Sequence, residues 1–158
     1  MTYRDQQRWA AQLRALPDTF RAALQGVDDR ALRRQPTEGE WSAIEVLGHM
    51  IDKMREWSGR VERVVVEDRP ALPGYDQDAL VRDRDYHGAE VEVLLTRLAA
   101  ACERFAAIVE HLRDEALGRE GVQGEYGPFT IRQCIEAPLE SVPAHLAQLK
   151  AALASDAR

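Results

Sequence analysis

The sequence predicts an all-α fold, a four-helix bundle with a long crossover between the second and third long helices. Four long segments carry apolar residues at spacings of three and four, as on one face of an α-helix. A stretch broken by prolines and glycine, residues 67–88, separates the two central segments, and no segment has the alternating pattern of a strand. A chain of 158 residues fits a single domain, residues 1–158.

The first long helix is predicted over residues 3–25, with Thr2 as its N-terminal cap. Its apolar stripe consists of Trp9, Leu13, Leu16, Phe20, Leu24 and Val27. Pro17 removes one backbone hydrogen bond, so a kink or a fresh helix start is expected there. Asp28 then caps a short helical turn.

The second long helix, residues 42–66, begins with a strong start signal. Ser42 and Glu45 have the spacing of a capping box, in which each residue satisfies a free backbone N–H group of the first turn. Its apolar stripe is Ile44, Leu47, Ile51, Met54, Ser58 and Val61. This helix organises the rest of the chain, because the other segments must cover its apolar face.

His49 lies outside that stripe, on the opposite face of the second helix. The carboxylates on the same face are Glu45, Asp52 and Glu56. An imidazole with carboxylates one turn away on either side is a possible half-site for a metal or a proton relay. The alternative, which is the commoner situation, is a polar face in contact with solvent.

The second half of the chain adds two long helices. The third is predicted over residues 89–116, after a short helix near residues 77–84 in the crossover. Thr130 starts the last helix with a second capping box, and Pro138 and Pro143 should bend or break it.

Composition limits the classes of function. The net charge of −6 argues against nonspecific binding to nucleic acid or to an anionic membrane. No run approaches the ~20 apolar residues of a membrane span, and the N-terminus has no apolar signal core, so a cytoplasmic location is expected. Cys102 and Cys134 lack zinc-type spacing and are expected to be free and buried, while His87 and His111 are expected to be exposed.

Three stretches together resemble the DinB-like superfamily, which includes the YfiT-type metal-dependent hydrolase fold. They are WSAIEVLGHMIDKMREWSGR in the second helix, EDRPALPGYD in the crossover and GEYGPFTIRQCIEAPLESVPAHLAQL at the end. The resemblance covers nearly the whole chain. It implies an antiparallel bundle, commonly homodimeric, with a divalent metal held by three histidines at one end.

The resemblance also implies which residues hold the metal. His49 matches the ligand from the second helix, and His145 matches the second of a pair four residues apart in the last helix. The first of that pair is here Ser141, which departs from the family pattern. A Zn or Ni site would then be weak or absent, because catalytic zinc normally has three protein ligands. Asp52 or Glu45 could supply a third ligand or a general base, and Ser141 could position a water.

Three functions are consistent with these residues. Family members with all three histidines resemble transferases and isomerases that use bacterial low-molecular-weight thiols, which suggests a metal-dependent transferase or hydrolase acting on a small molecule. The second possibility is a non-catalytic binding or stress-associated protein whose metal site is degenerate. The third is a dimer whose bundle face is its main role.

Overall fold

The computed structural model describes residues 3–155, and the predicted all-α four-helix bundle is confirmed there. Seven α-helices and one short hairpin occur in this range. The helices are α1 (Tyr3–Leu24), α2 (Asp29–Arg33), α3 (Ala43–Val66), α4 (Gln77–Asp83), α5 (Val91–His111), α6 (Ile131–Glu140) and α7 (Val142–Ala154). The strands are β1 (Glu120–Val122) and β2 (Pro128–Thr130). Single 3-10 turns occupy Tyr86–Gly88, Asp114–Gly118 and Gly124–Tyr126.

The bundle consists of α1, α3, α5 and the consecutive pair α6 and α7. Helix α1 packs against α5 and α6, whereas α3 packs against α5, α6 and α7. Helices α1 and α3 therefore occupy diagonal corners, and the crossover that contains α4 connects α3 to α5. This arrangement gives α3 protein neighbours on most of its circumference.

Helix α1 continues through Pro17, so of the two expected alternatives, a kink or a fresh helix start, the fresh start is wrong. The predicted stripe on either side of the proline is buried, with Leu13, Leu16 and Phe20 at most 4% exposed. Burying these side chains against α5 stabilises the helix more than one lost backbone bond destabilises it. The predicted cap, Thr2, lies outside the described residues.

Both predicted capping boxes are present. The Ser42 hydroxyl accepts a hydrogen bond from the Glu45 N–H, and the Glu45 carboxylate accepts from the Ser42 N–H. Thr130 and Gln133 make the same reciprocal pair at the start of α6. These caps fix where α3, which carries His49, and α6 begin.

The last helix breaks at Ser141, as its two prolines predict. Helix α6 ends at Glu140 and α7 begins at Val142. Pro143 is tolerated because it lies in the first turn of α7, where backbone N–H groups have no partner within the helix. One regular turn survives at the break, since the His145 N–H donates to the Ser141 carbonyl at 3.2 Å. Residues 141 and 145 therefore remain one helical turn apart.

The segment between α5 and α6 differs from the prediction. Helix α5 ends at His111 rather than near residue 116, and the antiparallel hairpin of β1 and β2 follows the next 3-10 turn. Strands of three residues are too short to produce a readable alternating pattern. The hairpin holds the crossover, because the Leu72 N–H donates to the Val122 carbonyl and the Val122 N–H donates to the Pro70 carbonyl, both at 2.8 Å.

Other expectations about single residues are confirmed. Cys102 and Cys134 are free and buried, and His87 and His111 are exposed. Across residues 3–155, no helix has the length and apolar character needed to span a membrane.

Leu98→Ala should lower the free energy of unfolding by about 2–5 kcal/mol, because it removes buried apolar surface and leaves a cavity. Leu98 is completely buried in the middle of α5. Urea unfolding measures the change, and His111→Ala on the exposed side of the same helix is the control and should be nearly silent. A loss below about 0.5 kcal/mol for Leu98→Ala would contradict the assignment of the α5 face.

Candidate active site between α3 and α7

His49 is completely buried, so the interpretation of its helix face as solvated is wrong. Every residue from Ala43 to Asp52 is buried, although only one face of that segment carries the apolar stripe. The other face is covered by α7, α4 and the Tyr86–Gly88 turn. Sequence periodicity marks the face of a helix that meets the apolar core, but it does not show a polar face that other elements cover.

The predicted histidines of α3 and α7 are in contact. The ring centroids of His49 and His145 are 4.7 Å apart, and the two rings meet edge to face. The ring centroids of Trp41 and His49 are 4.6 Å apart. Neither ring nitrogen of His49 has a hydrogen-bond partner within the described protein. Burying a polar group without a partner is costly, so such a pair of nitrogens is a common sign of a functional site.

Both imidazoles are neutral at pH 7. Burial, with smaller contributions from the nearby His145 and Lys53, lowers the pKa of His49 to about 3. Burial also lowers the pKa of His145, with a smaller opposing effect from its hydrogen bond to Gln148. Neutral imidazole is the form that offers a lone pair to a metal or accepts a proton.

Lys53 is part of this site, and the sequence analysis did not identify it. Its Nζ lies 3.3 Å from Nε2 of His145, while Nδ1 of His145 lies 3.2 Å from Oε1 of Gln148. Because an ammonium only donates and an amide oxygen only accepts, the His145 proton is on Nδ1 and its Nε2 lone pair faces Lys53. The available sequence signal was spacing, since Lys53 follows His49 by four residues on the same face of α3.

Asp52 is also buried, but it is bound by the crossover. Its Oδ1 accepts hydrogen bonds from the Tyr86 hydroxyl at 2.6 Å and from Arg84, whereas its Oδ2 has no partner in the described protein. Gly48 makes room for this contact, since a Cβ there would lie 2.1 Å from the Tyr86 ring. The Asp52 carboxylate therefore fastens the crossover to α3.

Glu45 belongs to the helix cap. Its Oε1 accepts from the Ser42 N–H at 3.0 Å, the Ser42 hydroxyl at 2.9 Å and the Gln35 amide at 3.1 Å. Burial acts to raise the pKa of Glu45, but these hydrogen bonds and the nearby His87 outweigh it, so the pKa is lowered. An ionised carboxylate with its acceptor sites used in this way stabilises the start of α3.

Ser141 lies at the joint between α6 and α7. Its hydroxyl donates to the Pro138 carbonyl at 2.7 Å, which satisfies a backbone group that the break in the helix leaves free. Its backbone is helical, and its carbonyl accepts from the His145 N–H. Position 141 therefore has the spacing that a second α7-side ligand would need, but its present side chain serves the helix joint.

The donor set fits a divalent cation only in part. His49 and His145 offer two neutral imidazoles in contact, and the unpartnered nitrogens of His49 fit a ligand or metal there. No group of three or more His, Cys, Asp and Glu residues suited to a metal forms within residues 3–155. The described structure therefore does not combine Asp52 or Glu45 with the two histidines as a third ligand.

A cavity of about 410 Å³ lies behind two neighbours of the histidine pair, although neither histidine lines it. Trp41 and Gln148 line it, and each of these residues also contacts one of the two histidines. Glu40 and Asp78 contribute carboxylates to its wall, and Ala151 and Ala152 contribute small apolar surface. The volume is in the range of small-molecule pockets.

The sequence model of the DinB superfamily matches residues 12–149. The chain belongs to the DinB superfamily. A relative from Geobacillus thermodenitrificans, named "putative metal-dependent hydrolase", is 27% identical over 110 residues, which are 70% of this chain and 62% of the relative. A protein of the same general name from Oceanobacillus iheyensis is 21% identical over 156 residues, 99% of this chain and 90% of the relative. The match therefore spans less than two thirds of the Geobacillus protein.

The fold also has a solved counterpart. YfiT from Bacillus subtilis, described as a probable metal-dependent hydrolase with an unusual four-helix bundle topology, superposes with a TM-score of 0.86 at 20% sequence identity. The superposition covers 96% of this chain and 87% of YfiT. At this identity the likeness shows the DinB/YfiT-type fold, including the bundle with its crossover.

In metal-free protein, His49 should make the fold sensitive to acid. Histidine in the unfolded chain protonates near pH ~6.5, whereas the pKa of folded His49 is about 3. The unfolded state therefore binds the extra proton as the pH falls below about 6.5, and stability decreases until about pH 3. Between pH 7 and pH 5, this one group should lower the free energy of unfolding by about 2 kcal/mol.

Urea unfolding at a series of pH values measures this effect. His49→Leu should reduce the dependence of the unfolding free energy on pH between pH 7 and pH 5. His111→Leu, at an exposed position, should show the same dependence as the parent. Equal slopes for the parent and His49→Leu would show that His49 is not held as a neutral buried imidazole.

Proposed function

We propose that this chain is a small-molecule hydrolase or transferase of the metal-dependent DinB type, with its site where α3 meets α7. The observation that carries the proposal is the completely buried His49, whose two ring nitrogens have no partner in the described protein while its ring contacts His145. A protein that keeps an imidazole in this state gains stability when a bound group satisfies it. The names of the relatives support the class of reaction.

His49 and His145 would hold the divalent cation, Zn or Ni, and two ligands make the binding weak. When bound, such a cation lowers the pKa of a coordinated water or thiol and so supplies a nucleophile at neutral pH. Gln148 orients His145 by accepting a hydrogen bond from its Nδ1–H. Trp41 closes the site on the side of the 410 Å³ cavity and excludes water from His49.

The substrate proposed for this cavity is a small molecule, with a low-molecular-weight thiol as the co-substrate that the family resemblance suggests. Asp52 and Glu45 are assigned supporting roles, because Asp52 binds the crossover and Glu45 caps α3. The alternative of a non-catalytic bundle with a degenerate site is not favoured by the comparisons, in which the relatives carry hydrolase names.

Ser141→His tests the metal site directly. A histidine there would lie one regular helical turn before His145, so two imidazoles of α7 could join His49 around one ion. Zinc and nickel should bind the variant at least about tenfold more tightly than the parent. At a metal concentration about 100 times the dissociation constant, binding should stabilise the fold by about 2.7 kcal/mol.

Thermal unfolding of untagged protein in a metal titration gives the readout. The parent should respond weakly, and adding His145→Ala to Ser141→His should abolish the gain. A strong response from the parent would reveal a third ligand already in place. No response from Ser141→His would mean that His49 and residue 141 do not face one ion.

A further inference from the structure

We propose that the Lys53 ammonium is the resident cation of this site and weakens the binding of a divalent metal at His145 by competing for the lone pair of Nε2. The inference rests on the proposed function, because it concerns how tightly His49 and His145 bind the proposed metal. It assigns a role to a residue of α3 that lies outside the family's histidine set.

The first support is geometric. Lys53 Nζ lies 3.3 Å from His145 Nε2, and Oε1 of Gln148 accepts a hydrogen bond from the Nδ1–H on the other side of the ring. An imidazole nitrogen has one lone pair in the ring plane, so it accepts a proton donor or binds a metal, but not both at once. The ammonium and the metal therefore compete for one atom.

The second support is charge. Lys53 is partly buried, and its positive charge acts on His49 as well as on His145. A dication between the two imidazoles would lie close to this ammonium in a region of reduced dielectric, where like charges repel strongly.

The third support is the mobility of a lysine side chain. Four methylene groups link Nζ to the backbone, so the ammonium can move towards solvent if the site is filled. Exclusion of this kind weakens metal binding rather than abolishing it. Ser141 and Lys53 thus weaken metal binding in separate ways. Ser141 lacks the imidazole that would bind the metal, and Lys53 occupies the lone pair of His145 Nε2.

A neutral lysine acting as a third ligand would have the opposite effect, and Lys53→Leu separates the two roles. Leucine has neither charge nor donor atom, so zinc and nickel should bind Lys53→Leu at least tenfold more tightly than the parent. Lys53→Arg keeps the charge and cannot act as a neutral ligand, so its affinity should stay as weak as that of the parent. Lys150→Leu changes the only other lysine of the chain, at an exposed position, and is the matched control.

Isothermal titration of Zn²⁺ and Ni²⁺ into untagged protein, with metal-dependent melting as a second readout, decides the matter. Circular dichroism confirms that each variant is folded.

Tighter metal binding by Lys53→Leu would support the inference if the added substitution His145→Ala removes the gain. Unchanged or weaker binding by Lys53→Leu would overturn it, and weaker binding would identify Lys53 as a ligand. If Ser141→His gains metal while Lys53→Leu does not, the inference fails and the proposed metal site stands; if neither binds metal, both fail.

Discussion

The site depends on one packing constraint, the burial of the first three turns of α3 on all sides. Residues 43–52 form this segment, and one polar side chain within it, His49, has no partner in the described protein for either ring nitrogen. The cap at Ser42 fixes where the helix begins, and Tyr86 packed on Gly48 fixes how closely the crossover approaches. Contact with His145 then sets the position of α7. The break at Ser141 and the placement of the crossover both serve this arrangement.

Burial also determines the chemistry that the site can perform. It keeps both imidazoles neutral and therefore available as lone-pair donors, yet it brings a lysine of the same helix face against one of them. The two histidines proposed as metal ligands therefore lie beside a cation that would oppose metal binding. The proposed weak affinity for metal would then have two separate causes, the absence of a ligand at position 141 and the contact of Lys53 with the His145 lone pair.

Much of this structure could be predicted from the sequence because its signals are local. The capping boxes of Ser42 and Thr130, the stripe of α5 and the break caused by Pro138 and Pro143 depend on neighbours within a few residues. The continuity of α1 through Pro17 could not be predicted in this way, because it depends on packing against α5. The burial of His49 likewise depends on elements about 30 to 100 residues away in the chain.

The site residues show the same difference between features set by nearby residues and features set by distant packing. The carboxylates on its helix face already mark His49 as a possible half-site, whereas its pairing with His145 rests on the family resemblance, and their contact could not be derived from spacing alone. Lys53 was missed because a lone lysine on a helix surface is usually solvated, and only the approach of α7 places it against an imidazole. Asp52 and Glu45 were plausible ligands by helical spacing, but hydrogen bonds from the crossover and from the cap determine what they do.

The central claim is that His145 presents Nε2 to Lys53 beside a neutral His49. Long-range proton–nitrogen NMR of the imidazole rings in metal-free protein tests it, because the two ring nitrogens have distinct shifts in each tautomer. At pH 7, His145 should carry its proton on Nδ1, and the His49 ring should stay neutral down to pH ~5. A proton on Nε2 of His145, or a His49 ring that protonates near pH ~6.5 as an exposed histidine does, would contradict it.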